Sequence, residues 1–210
     1  MFRANYEPIF LVGLVILYAL RNYYGLIFRS RGVKEQGYNT WLDRFLTWIS
    51  ELGLIVGAIY VFTDWLAFAN FPIPGWWGWM GIPIYAVGLW MLWRAHQDLD
   101  RSWSPHVEIR REQKLITDGV YQRIRHPMYA GYILLGIGQM ALLANWIAGP
   151  AFLVLFSLVY FQRVTREEEM MLEKFGEDYR SYMQRTGRLL PRLNLGHSSS
   201  HNSSLTPTKK

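Results

Sequence analysis

MYAGYILLGIGQMALLANWIAGPAFLVLFSLVYFQ, residues 128–162, runs for 35 positions without one charged side chain. A helix crosses the hydrocarbon core of a bilayer with about 20 mostly apolar residues, in a range of roughly 17–25. The stretch is too long for one crossing and suits two short ones. Asn145-Trp146 divides it into Met128–Ala144 and Ile147–Gln162, a helical hairpin closed by a very tight turn. Working outward, Trp76–Arg94, Phe45–Ala69 and Pro8–Phe28 also qualify as spans, and Asn70-Phe-Pro-Ile-Pro-Gly75 breaks the chain between the second and third. The first span is too long for the apolar core of a signal peptide, and no small-residue cleavage pattern follows it.

Composition agrees. Hydrophobic residues make up 51% of the chain and aromatics 16%, with ten Trp, while charged residues reach 18% against roughly 25% in soluble domains. Such runs cannot stay solvated, which excludes disorder for most of the chain. There is no Cys, so disulfides and cysteine-ligated metals are excluded. The net charge of +6 would in a soluble chain suggest nucleic acid. Here it marks cytoplasmic loops and a membrane surface. The expected fold is all-α, a polytopic membrane protein of about five transmembrane helices with a cytoplasmic C-terminal helix.

Lys and Arg set the orientation. The loop Arg29–Arg44 carries four, Arg94–His126 seven and the chain from Arg163 onward nine, whereas 70–75 and 145–146 carry none. The three basic segments therefore share the cytoplasmic side and the N-terminus lies outside. Trp65, Trp76, Trp77 and Trp146 then fall near the outer interface. Thr165–Gln184 has helical composition and continues the fifth span out of the membrane, stopped by Gly187 and Pro191. The organisation predicted is 1–94 for spans one to three, 95–192 for a core of loop, hairpin and C-terminal helix, and 193–210 for a low-complexity, disordered tail.

Ionisable groups inside spans are costly and default to functional candidates. Arg21 and Glu51 are two such residues, although both lie near the cytoplasmic end of their spans and can snorkel. A second candidate region runs from Trp103 to Tyr129. Gln113 to Tyr121 reads as an extended piece ending in a turn, and Arg125-His-Pro-Met-Tyr129 opens span four. Pro127 suits the first turn of a helix, where no hydrogen bond is lost. His126 before it stands where free backbone N–H groups favour an anion. The third is Arg163-Val-Thr-Arg-Glu167-Glu168-Glu169, in which Arg163 and Glu167 share a helix face. The His and Glu spacing offers no recognisable metal-ligand set.

The order Leu-Ile-Thr-x-Gly-x-Tyr (115–121), Arg-His-Pro-x-Tyr-x-Gly (125–131), Asn145, Arg163 and Glu167-Glu168 resembles the isoprenylcysteine carboxyl methyltransferase family, which groups with phospholipid methyltransferases. The resemblance continues through Phe175-Gly176, Tyr179, Tyr182 and Arg188-Leu-Leu-Pro191, and covers roughly residues 100–192. It implies an integral membrane methyltransferase using S-adenosylmethionine at the cytoplasmic ends of spans four and five. Carried over by position, Gln113, Lys114, Leu115 and Ile116 would line the adenosine pocket. Tyr121, His126, Pro127, Met128 and Tyr129 would complete it, with Glu167 and Glu168 beside the cofactor. Arg163 would meet the substrate and, with Glu167, carry the reaction. The family often has His where this chain has Gln113, and either side chain can hydrogen-bond an adenine or its ribose.

The chemistry is coherent. Methyl transfer from a sulfonium is an in-line displacement, and a carboxylate acceptor is already ionised, so positioning dominates. An arginine orients a carboxylate through paired hydrogen bonds. The implied partners are a lipophilic small molecule or prenylated substrate and membrane lipid, without nucleic acid. The C-terminal Thr-Lys-Lys is no prenylation signal. A phospholipid N-methyltransferase is the nearest alternative, but an amine acceptor needs a base, and Arg163 suits a carboxylate better. An NADPH-dependent sterol-type reductase would carry Asn and Glu where Met128 and Tyr132 stand. A transporter or scaffold predicts midplane polar groups, which spans three to five almost lack.

Overall fold

The computed structural model describes residues 6–30, 41–72, 74, 76–99 and 114–192. Gln113, most of the basic segment before it and the expected disordered tail from 193 lie outside the described residues. Five helices form in chain order: α1 (Glu7–Ser30), α2 (Trp41–Phe62), α3 (Trp77–Leu99), α4 (Pro127–Leu142) and α5 (Ala148–Arg185). Short 3-10 turns stand at Ala67–Ala69 and Gly119–Gln122. The described residues contain no strand, only the isolated bridges Asn70–Asn145 and Ile124–Gly187.

Three of these helices are long and apolar enough to cross a membrane: α1 over Glu7–Ile27, α2 over Arg44–Phe62, and α5. The chain is an integral membrane protein. Its large apolar side chains face outward, among them Val15 and Leu26 on α1, Leu52 and Phe62 on α2, and Val154 and Phe161 on α5. Hydrocarbon tails are as apolar as these groups, so burial alone does not drive the helices together; packing at small residues does. A Cβ on Gly53 would sit 2.4 Å from Phe152 Cα, and one on Gly88 would sit 3.0 Å from the Gly131 carbonyl oxygen. Backbone contact at those glycines joins α2 to α5 and α3 to α4. Gln139, fully buried, donates to the carbonyls of Gly53 (3.2 Å) and Ala148 (2.7 Å) and ties the hairpin to α2.

The end of α2 departs from expectation, and so does the regularity of α5. α2 ends at Phe62 rather than Ala69. The Thr63 amide makes the last regular bond of the helix, to the Ile59 carbonyl at 2.9 Å, its hydroxyl donates to the same carbonyl at 2.8 Å, and the chain then turns toward Asn145, which donates to Leu66 O at 2.7 Å. Beyond the apolar part of α5 the helix does continue, as expected, but Gly176 breaks its regularity with φ 51° and ψ −122°. That positive φ suits glycine.

Candidate functional site

The hairpin has two polar ends. At one, Asn145 is buried and saturated. Its Oδ1 accepts from the amides of Ile147 (3.0 Å) and Ala148 (2.9 Å), capping α5, while Nδ2 donates to Leu66 O (2.7 Å) and Asn70 Oδ1 (2.8 Å). The segment that ends α2 early is thereby fastened to the hairpin turn.

At the other end, Pro127 is the first residue of α4, and His126 stands before it with φ −122° and ψ 61°. The amide of His126 donates to Arg188 O at 3.0 Å. The Arg125 amide donates to Gly187 O at 2.8 Å and the Gly187 amide to Arg123 O at 3.2 Å, so the chain leaving α5 runs alongside the loop entering α4. The turn at Gly176 lets Tyr179 and Tyr182 bury against this junction, where the Tyr182 hydroxyl donates to the Tyr121 carbonyl at 2.6 Å. Gly119 and Val120 are held from the side. Asp98 at the end of α3 accepts from the Val120 amide at 2.8 Å.

Two adjacent carboxylates of α5 face this junction, past the apolar part of the helix. Glu168 is 4% exposed and surrounded: Arg125 Nε lies 3.1 Å away, Arg188 Nη2 2.6 Å, and His126 Nε2 3.3 Å. Burial pushes its carboxyl up, but the hydrogen bonds from His126 and Arg188 and the nearby charges outweigh that and hold it at about 2. Glu167 is 25% exposed and keeps an open side. It accepts from the Tyr129 hydroxyl at 2.5 Å, and His126 Nδ1 stands 3.6 Å away. Burial pushes the His126 imidazole down, while its bonds to Glu167 and Glu168 outweigh that and raise it. Tyr129 leans on Tyr160 (5.5 Å between ring centroids) and Phe156 (6.1 Å), forming an aromatic shelf beside Glu167.

Arg163, one turn nearer the apolar part of α5, donates from Nη2 to Thr47 Oγ1 of α2 at 2.9 Å. Of the remaining predicted residues, Met128 packs on the core, Lys114 is exposed, and Leu115 and Ile116 are half-buried without regular structure. The junction thus gathers Tyr121, His126, Pro127, Tyr129, Glu167 and Glu168. Arg125 and Arg188 were not singled out by sequence reasoning as partners of Glu168, and only the paired motifs around them hinted at it.

Residues 80–173 match the model of the isoprenylcysteine carboxyl methyltransferase (ICMT) family. Protein-S-isoprenylcysteine O-methyltransferase B of Arabidopsis thaliana is 38% identical over 96 residues, 45% of this chain and 49% of that protein. The A form from the same plant is 26% identical over 145 residues, 68% of this chain and 74% of the relative. This chain therefore spans about half the length of the first relative and more of the second. A solved structure of the eukaryotic intramembrane Ras methyltransferase ICMT shares the fold, with TM-score 0.52 and 24% identity over 73% of this chain and 53% of that one. The matched stretch, residues 80–173, holds the α4–α5 junction and both of its carboxylates, and it is there that this chain is similar to the isoprenylcysteine carboxyl methyltransferase family.

Proposed function

We propose that the chain is an integral membrane S-adenosylmethionine-dependent methyltransferase that methylates the carboxylate of an isoprenylcysteine-like or other lipophilic acceptor. The observation that carries this reading is the division of labour on α5. Glu168 is consumed by Arg125, Arg188 and His126, whereas Glu167 presents a partly open carboxylate beside Tyr129. Arg163 stands one turn away toward the membrane.

The donor set suits the cofactor. Glu167 offers an anionic acceptor for ribose hydroxyls or for the cationic end of the molecule. The shelf of Tyr129, Tyr160 and Phe156 offers flat apolar surface, and Lys114 to Ile116 offer main-chain groups for an adenine edge. When bound, S-adenosylmethionine supplies an electrophilic methyl group on a sulfonium. The chain's own work is orientation. Arg163, steadied by Thr47, holds the acceptor carboxylate through its planar fork. The His126–Glu168–Arg188 network fixes the junction so that donor and acceptor meet in line. A carboxylate acceptor needs no base, and Arg163 at the membrane-facing side of the site favours it over a phospholipid amine.

All five helices act as spans in this reading. α4, of 16 residues, packs between α3 and α5, and α3 turns Trp79, Met80, Val87 and Trp90 outward as a lipid-facing span would. The N-terminus lies outside and the α4–α5 junction is cytoplasmic, where a soluble cofactor arrives. A cysteine placed at position 72 is then labelled by an impermeant reagent added outside, while one at position 180 is spared; the reverse pattern would overturn the orientation. The activity is tested in detergent by methyl transfer to N-acetyl-S-farnesylcysteine and to phosphatidylethanolamine. Transfer to the first and not the second is expected, and the opposite preference sinks the carboxylate reading.

A further inference from the structure

The short 3-10 turn Gly119–Gln122 is capped from outside its own stretch of chain. Asp118 stands before it with extended backbone, φ −100° and ψ 172°, yet its side chain makes no capping bond. An Asp in that place ordinarily accepts from the second or third amide that follows. The amide of Val120, the second residue of the turn, donates instead to Asp98 Oδ2 at 2.8 Å, 22 residues back on α3. Gly119 makes room for this contact. It has φ 60°, which suits glycine, and a Cβ there would sit 2.0 Å from Asp98 Oδ2.

The helix that carries Asp98 gains little from it. α3 ends at Leu99, and a carboxylate in the last turn opposes the helix dipole. Arg94 pairs with it at 3.0 Å, but with the base N-terminal to the acid, the weaker order on a helix. The Asp98 side chain is nevertheless 11% exposed, so its charge is kept where water reaches it poorly. What it holds is one side of the α4–α5 junction. Tyr121, in the turn, is buried and lies within electrostatic reach of both Asp98 and Glu167. Leu115 and Ile116 come just before the turn. The tethers beyond it reach from the end of α5: Tyr182 to the Tyr121 carbonyl, and Gly187 and Arg188 to the backbone of 123–126. Asp98 is the tether from α3, and it precedes those in the chain.

We propose that Asp98 is a positioning residue for the cofactor, clamping the Gly119–Val120 turn onto α3 and so fixing the backbone of Leu115 and Ile116, and Tyr121, beside the open carboxylate of Glu167. This rests on the S-adenosylmethionine reading above. A segment held in its binding conformation beforehand has less freedom to lose when the ligand arrives, so the clamp is felt in cofactor affinity. Asp98 acts through the turn and not on the sulfonium. Its removal therefore weakens a cofactor with or without the transferable methyl group, and leaves the acceptor's side of the reaction alone.

The full chain in detergent is titrated by calorimetry with S-adenosylmethionine and with S-adenosylhomocysteine. Asp98→Ala removes the acceptor oxygen, and affinity for both compounds is expected to fall about tenfold and equally. Asp98→Asn keeps an oxygen for the Val120 amide and is expected to stay within about threefold of the wild type. Gly119→Ala displaces the carboxylate from the other side. Combined with Asp98→Ala it is expected to cost less than the product of the two separate losses, because both break one contact. Hydrogen exchange of the cofactor-free chain is expected to quicken at residues 119–121 in Asp98→Ala. At saturating cofactor, kcat and KM for N-acetyl-S-farnesylcysteine are expected to stay within about twofold of the wild type. Unchanged cofactor affinity in Asp98→Ala overturns the proposal and leaves the bond a purely structural one. A loss confined to S-adenosylmethionine overturns it too, by making Asp98 a contact of the sulfonium, and so does a fall in kcat at saturating cofactor. If Asp98→Ala does not fold, Gly119→Ala decides, and wild-type affinity there overturns the clamp. A wild-type chain that binds neither compound overturns the methyltransferase reading itself.

Discussion

The two ends of the α4–α5 hairpin are both polar, yet they are finished differently. At the Asn145 end every hydrogen bond of the side chain's amide is spent inside the protein, on Leu66, Asn70, Ile147 and Ala148. At the Glu167–Glu168 end one carboxylate is spent in the same way and its neighbour is not. A saturated polar group in a membrane protein is holding helices; one that keeps an open side beside an aromatic shelf is available to a ligand. Between Glu167 and Glu168 the difference lies in the partners, since the two side chains are the same.

The sharpest way to break this comparison is Glu168→Ala. It leaves the Arg125 guanidinium, 8% exposed, facing no carboxylate from Glu168, and breaking a buried pair costs about 3–5 kcal/mol. Thermal unfolding in detergent is expected to show a loss of that order. A variant as stable as the parent would make Glu168 a ligand group like Glu167. Arg163→Lys is next. Lys lacks the planar fork, so kcat/KM is expected to fall roughly tenfold to a thousandfold, about 1.4–4 kcal/mol, with cofactor affinity and topology kept. Full turnover with Lys would reduce Arg163 to a membrane anchor. Glu167→Gln is expected to weaken S-adenosylmethionine binding about ten- to a hundredfold, 1.4–2.7 kcal/mol, without the stability loss of Glu168→Ala. Asn145→Ala removes a helix cap and is expected to cost about 1–2 kcal/mol while leaving KM for both substrates unchanged.

The smallest effect is on pH. Glu168 sits below its ordinary value, so its contribution to stability is complete above about 4.5 and is lost as pH falls toward about 2. His126 is raised, so its contribution is complete below 6.5 and is lost as pH rises through its higher folded value. Glu168→Gln should flatten the acid limb of a stability–pH profile, and an unchanged acid limb would assign it to other carboxylates.

Helix number and the hairpin were legible because a charge-free run and its break are local. The end of α2 was not: Phe62 to Ala69 is mostly apolar, but Asn145, 79 residues from Leu66, donates to the Leu66 carbonyl and draws the segment after Thr63 aside. The motif around His126 and Glu167 was legible as spacing along two helices. The unequal duties of Glu167 and Glu168 were not, because Arg125 and Arg188 reach Glu168 from 43 and 20 residues away. Arg21 and Glu51 read individually as groups able to snorkel, and their pairing across 30 residues depends on how α1 lies on α2.

The most direct test of the central claim uses purified protein, S-adenosylmethionine labelled in its methyl group, and N-acetyl-S-farnesylcysteine, with the product then treated with alkali. A carboxyl methyl ester releases its label as methanol, whereas an N-methyl product keeps it. The account predicts labelled product whose label is released by alkali, reduced at least tenfold by Arg163→Lys. Label that is transferred but survives alkali, or no transfer by protein shown to bind the cofactor, would contradict it.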